Sequence, residues 1–286
     1  MCQKEELHKQ FLFLMKLHEL IGDVKNDIMF KMWYKIRRIP FMRNIKITLE
    51  YDGGRYQGWA RLGKNESNNS VSNKVVEVLE KMTNEKDIEL FCGCRTEVGV
   101  HAYAQVVNFK TECPLKCLEI KHYLNRYLPM DIAATDVREM PERFHAQLNA
   151  KEKTYTYRMT ISEVPSVFER KYTYHCFKTP DVKLMQQAAQ LLVGKHDFKN
   201  FSTAKKSKST VRIVSDIEIY GDSEEIQITI QADDFLHNMA RLMIGTLLDI
   251  GLGNRKKEDI DKIFAGKAVV SEPCDPKGLF LQEIGY

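Results

Sequence analysis

The chain has 286 residues, 43% apolar and 29% charged, enough for one large or two modest domains with a proper core. Its formal net charge of +4 is too small to announce nucleic-acid binding, so any RNA contact must come from local clusters of Lys and Arg. Seven Cys, without a disulfide spacing or a secretory signal, point away from a stapled secreted scaffold and towards reduced thiols in a cytoplasmic protein.

The N-terminal stretch Gln10 to Leu20 reads QFLFLMKLHEL. Its apolar run is too short and too interrupted to span a membrane, and it lacks a signal-peptide cleavage pattern. Residues 1–41 are expected to be a helical extension or to lie upstream of a true start at Met42. A second helical pattern, NDIMFKMWYKIRR, ends in Lys35, Arg37 and Arg38, and its plain reading is a solvated or packing face. From Asn44 the pattern alternates, and NIKITLEYDG predicts a strand closed by a turn at Asp52-Gly53. The polar loop GKNESNNS follows, and its last residue, Ser70, is placed to cap a helix over Val71 to Met82.

A short strand is predicted over Ile88 to Cys92, then the loop CGCRTEVGVHA, then a strand over Gln105 to Phe109. Leu115 to Leu128 predicts a helix stopped by Pro129, and Asp131 to Arg138 a strand. In the second half, Tyr155 to Thr160 alternates as a strand, and Val182 to Val193 predicts a helix ended by Gly194. The loop TAKKSKST leads to strands over Arg212 to Tyr220 and Glu225 to Gln231. A long helix over Asp234 to Ile250, a short one over Glu258 to Phe264 and a final strand in GLFLQEIGY complete the chain. Strands and helices mix without a βαβ rhythm, which predicts an α+β fold. The boundary between two lobes, 42–150 and 151–286, is expected between about Gln147 and Lys178. The C-x-C of Cys92 and Cys94 and the C-x-x-x-C of Cys113 and Cys117 do not have zinc-ribbon spacing, so no metal is assigned.

Two features carry candidate chemistry. The helix DFLHNMARLMIGTLLDI is apolar around nearly its whole circumference and should be buried, yet Arg241 lies in its middle. A buried guanidinium cannot shed its proton and should pair with an anion. It is either a structural ion pair or snorkelling head group, or a residue that orients a catalytic carboxylate or a substrate phosphate. The second feature is Cys94 to His101, C-R-T-E-V-G-V-H, where Arg95, Glu97 and His101 lie close together and Gly99 has backbone freedom. A charged loop can be merely solvated or it can be catalytic.

C-R-T-E-V-G-V-H-A resembles the G-R-T-D-A-G-V-H-A signature of the TruA family of tRNA pseudouridine synthases. RNIKITLEYDGGRYQGW, LNRYLPMDIAA, FHAQLNAKEKTYTYR, GKHDFKNFS, TVRIV, FLHNMARLMIGTLLDIGLG and PKGLFLQEIGY are similar to further family segments in the same order, over about Met42 to Tyr286. The resemblance implies a two-lobed fold with an extended, mixed, mainly antiparallel sheet, flanking helices and a cleft between the lobes. It implies a homodimer without metal or organic cofactor that converts uridines at positions 38–40 of the tRNA anticodon arm to pseudouridine. The family's catalytic aspartate falls on Glu97, its paired arginine on Arg241, its base-stacking aromatic on Tyr155, and the residue holding the flipped nucleotide on Arg95. Thr96 and His101 of the same signature join the expected substrate-binding set. Lys205, Lys206, Lys208 and Arg212 are candidate phosphate grips, or members of a solvated connector. The chain departs from the family at Glu97, at Gln147 for the arginine of F-H-A-R, at Ala60 for the glutamine of G-W-Q, and at Ser72 for the glutamine of S-V-Q or T-I-Q. Two outcomes are open: isomerisation with Glu97 in the aspartate's role, or RNA binding without turnover.

Overall fold

Strand β1 (Arg43–Tyr51) alternates as its sequence predicts, with Ile45, Ile47 and Leu49 fully buried. It belongs to a computed structural model that describes residues 42–60, 69–204 and 209–286. The two helical patterns of the N-terminal stretch and the lysines at 205, 206 and 208 lie outside the described residues. Helix α1 (Val71–Thr83) starts where predicted, with the Ser70 hydroxyl accepting from the Asn73 amide at 3.3 Å. Next come β2 (Phe91–Cys92), β3 (His101–Thr111), α2 (Cys117–Tyr127) and β4 (Ile132–Met140). The second half holds β5 (Glu152–Thr160), β6 (Tyr174–His175), α3 (Val182–Ala189), β7 (Gly194–Asp197), β8 (Val211–Gly221), β9 (Glu225–Ala232), α4 (Met239–Gly251), α5 (Asp259–Phe264) and β10 (Leu279–Gly285).

All ten of these strands join one sheet in the order β4-β1-β3-β10-β5-β9-β8-β7, with β2 beside β3 and β6 beside β5. The first half of the chain builds one side and the second half the other. The C-terminal strand closes between them, parallel to β3 and antiparallel to β5. Most pairings are antiparallel, so the expected α+β class and mixed, mainly antiparallel sheet hold. Residues Arg43–Tyr286 form one compact unit. Helix α2 packs on β4, and α3 packs on α4 and β8.

Three local departures from the sequence reading matter for the site. Strand β3 starts at His101, so this histidine is a strand residue and not a loop residue. The strand predicted over Ile88 to Cys92 shortens to its last two residues. The long helix starts at Met239 and not at Asp234, because Asn238 adopts a left-handed conformation at φ 60° that breaks helical continuity. Residues 233–238 are therefore a connection, and its Asp234, Phe235 and His237 line a cavity.

Candidate active site

The loop 93–100 is held from three sides before any substrate is considered. Gln105, fully buried on β3, accepts from the Cys94 amide at 3.3 Å and donates to its carbonyl at 2.6 Å. The Thr96 hydroxyl pairs with the buried Tyr51 hydroxyl at 2.7 Å. The Trp59 amide donates to the Thr96 carbonyl at 3.0 Å. Gly58, at φ 80°, makes this approach feasible, since a β-carbon there would lie 2.8 Å from the Thr96 oxygen. The Val100 amide closes a turn on the Glu97 carbonyl at 3.2 Å. Gly99, at φ 79°, occupies the third position of that turn, which requires positive φ. Glu97 thus opens a tight turn on a pinned loop.

The Glu97 side chain is half-buried and points to the start of α4, where its Oε1 accepts the Asn238 backbone N–H at 2.8 Å. A carboxylate is stabilised there by the exposed N–H groups and the positive end of the helix dipole. The direct Glu97–Arg241 pair expected from burial is not formed. Among the described residues Arg241 makes no salt bridge. Its Nε donates to the Cys274 carbonyl at 2.9 Å and its guanidinium to the Asn238 Oδ1 at 3.0 Å. The physical reason is that Arg241 is only half-buried and finds neutral acceptors, while the helix terminus takes the carboxylate. Asn238 is the link between the two charged groups.

Glu97 opens on a cavity of about 340 Å³ that Arg95, Thr96, Lys153, Tyr155, Asp234, Phe235 and His237 also line. Tyr155 and Lys153 are two residues apart on β5 and therefore share a face. Tyr155 is 3% exposed, meets Phe235 edge-on with centroids 5.0 Å apart, and contacts the Cys94 Sγ at 3.2 Å. Burial pushes its phenol well above the usual range, so it is a neutral ring at physiological pH. Lys153, with a side chain 7% exposed, pairs with Asp234. Burial opposes its charge, and its neighbours, the Asp234 carboxylate and its hydrogen bond among them, more than offset this and raise its pKa. Burial raises the Cys92 thiol to about 11 and pushes up that of Cys94, so both are inert thiols beside the cavity.

The expected substrate residues are not all brought together. Arg95 is exposed at the rim and Tyr155 lines the wall. Thr96 also touches the cavity, but its hydroxyl is committed to Tyr51. His101 is elsewhere: its ring is 1% exposed, its Nδ1 accepts the Gly53 amide at 3.1 Å, and it lines a second cavity with Asp52 and Tyr172. Arg212 is not among the cavity-lining residues, and its guanidinium lies 3.7 Å from Asp234. Three of the four departures from the family pattern, Glu97, Ala60 and Gln147, line the cavity itself. The residues that sequence reasoning missed are Asn238, Lys153, Asp234, Gln105 and Tyr51. The spacing of Asn238 three residues before Arg241, and of Lys153 two before Tyr155, carried a usable signal.

Comparison with known proteins gives the class to which this fold and site belong, the pseudouridine synthases. A family model described as tRNA pseudouridine synthase matches residues 188–286. Over 248 residues, 86% of this chain and all of the relative, the chain is 42% identical to the tRNA pseudouridine synthase A 2 of Bacillus anthracis. It is also 42% identical, over 250 residues and again the whole of the relative, to the tRNA pseudouridine synthase A 2 of Clostridium perfringens (strain 13 / Type A). A chain of a solved Cbf5-Nop10-Gar1 complex aligns with 83% of this chain and 49% of its own at a TM-score of 0.31 and 12% identity, too loose to bear on the assignment. The chain belongs to the TruA family of tRNA pseudouridine synthases.

Proposed function

We propose that the protein isomerises uridine to pseudouridine in the tRNA anticodon arm, at positions 38–40, with Glu97 as the essential carboxylate. The C1′–N1 bond breaks, the uracil turns within the cavity, a C1′–C5 bond forms, N1 takes up a proton and C5 gives one to solvent. Positive charge develops at C1′ as the first bond opens, and an ionised carboxylate at that carbon or on the base assists the exchange. Tyr155 stacks on the displaced base, replacing stacking lost when the nucleotide leaves the helix. Arg95 at the rim holds the flipped nucleotide, Arg241 serves the carboxylate through Asn238, and Lys205, Lys206, Lys208 and Arg212 contact phosphates. Thr96 supports the loop and not the substrate, and His101 acts outside this cavity. The enzyme works in the cytoplasm as a homodimer. Among the described residues no helix is long and apolar enough to cross a membrane.

The observation that carries this reading is the Glu97 carboxylate, held at 2.8 Å by the Asn238 amide on the wall of a cavity it shares with Tyr155. The test is release of tritium from C5 of labelled uridine when unmodified tRNA meets the purified protein. The wild type is expected to release label, and Glu97→Gln, isosteric but uncharged, to lose at least about 10²-fold in rate. Release at equal rates from both sinks the assignment. Ala60 and Gln147 in the cavity wall favour a second reading, RNA binding without turnover. It predicts no label release together with tRNA affinity that falls steeply with salt.

A further inference from the structure

We propose that Asn238 is the positioning residue of this site: its backbone fixes the Glu97 carboxylate, and its side chain transmits the Arg241 guanidinium to that backbone. The inference rests on the assignment of Glu97 as the reacting carboxylate. Among the described residues three non-glycine residues have positive φ: Asn84, Asp87 and Asn238. The first closes α1, where a left-handed residue is ordinary. Asn238 stands instead at the start of a helix, where the capping residue is normally extended and its side chain bonds to the first turn. Its carboxamide makes no such cap bond.

The left-handed backbone is strained for a residue with a β-carbon, less so for asparagine than for most. Such a conformation persists only where surrounding contacts over-determine it, and Asn238 has them. Its N–H is turned out to Glu97 Oε1 at 2.8 Å. Its Oδ1 accepts from the Arg241 guanidinium at 3.0 Å, and its Nδ2 donates to the Thr203 hydroxyl at 2.9 Å. The Thr203 amide and the Ser202 hydroxyl both bond the His237 carbonyl at 3.2 Å, which fixes the residue just before it. The guanidinium, pinned in turn on the Cys274 carbonyl at 2.9 Å, therefore acts on the carboxylate through a neutral carboxamide and not by direct pairing.

Asn238→Gly keeps the N–H and tolerates positive φ, but removes the carboxamide. Its single-turnover rate is expected to fall about 10- to 10²-fold with tRNA affinity unchanged. Arg241→Met is expected to fall comparably, and the double variant no further, because both remove one chain of contacts. Arg241→Met is also expected to shift the Glu97 side-chain carboxyl signal in carbon-detected NMR, because the Asn238 amide that holds the carboxylate is no longer fixed through its carboxamide. That signal is read whether or not the protein turns over, so it separates this inference from the assignment of activity. Wild-type rates in Asn238→Gly, additive loss in the double variant, or an unmoved Glu97 carboxyl signal in Arg241→Met would each overturn it.

Discussion

At Lys153 and Asp234 the two members of an ion pair live in different environments. The lysine side chain is 7% exposed and the aspartate 46%. Removing the exposed partner leaves an ammonium buried without its carboxylate, whereas removing the lysine leaves an aspartate that water and Arg212 can satisfy. Asp234→Asn should therefore cost about 3 kcal/mol and Lys153→Met under about 1 kcal/mol. Urea midpoints of the two variants check the asymmetry, and equal losses would contradict the environment described for the pair. At this scale the sequence singled out Glu97, Arg95, Tyr155 and Arg241 as candidates for the chemistry. It did not tell how they are satisfied. A guanidinium in an apolar helix demands acceptors, but the demand does not say whether they are carboxylates or, as here, a carboxamide and a backbone carbonyl.

Elements that the periodicity made plain are those whose stability is local. The alternation of β1, the capped start of α1 and the apolar circumference of α4 all follow from side chains within a few residues of one another. The loop from β2 to β3 is different, because its shape is imposed by Gln105, Tyr51 and the Gly58-Trp59 segment, all distant in sequence. Gly58→Ala tests that dependence. A β-carbon at φ 80°, 2.8 Å from the Thr96 oxygen, should lower stability by about 1–3 kcal/mol and displace the Glu97 turn. Denaturant unfolding should report the first effect and loss of tritium release the second. A stable, fully active Gly58→Ala protein would show that the loop does not need this buttress. The start of α4 was misplaced by five residues for a related reason. Phe235 and Leu236 fit a helical stripe, and it is the left-handed Asn238 that delays the start of the helix to Met239.

Across the molecule, β10 ties together halves that are far apart in the chain. Leu281 pairs with Ala102 on one side and Tyr155 on the other. Trp59 belongs to the first half and the β9 isoleucines to the second, yet all are in one hydrophobic core. Residues 43–286 should therefore unfold in one transition, with Trp59 fluorescence and far-ultraviolet circular dichroism giving the same urea midpoint. Two separated transitions would show lobes that fold independently.

Sequence alone determined the class of fold, the family and the loop that carries the acid, because hydrophobic period, turn residues and ordered motifs are properties of neighbours along the chain. Only the tertiary structure decided that Glu97 meets a helix terminus and not Arg241, that His101 belongs to another cavity, and that Lys153 and Asp234 line the site. Those outcomes depend on which of several chemically equivalent partners lies within about 3 Å, the reach of a hydrogen bond, and that distance exists only once the two halves share a sheet.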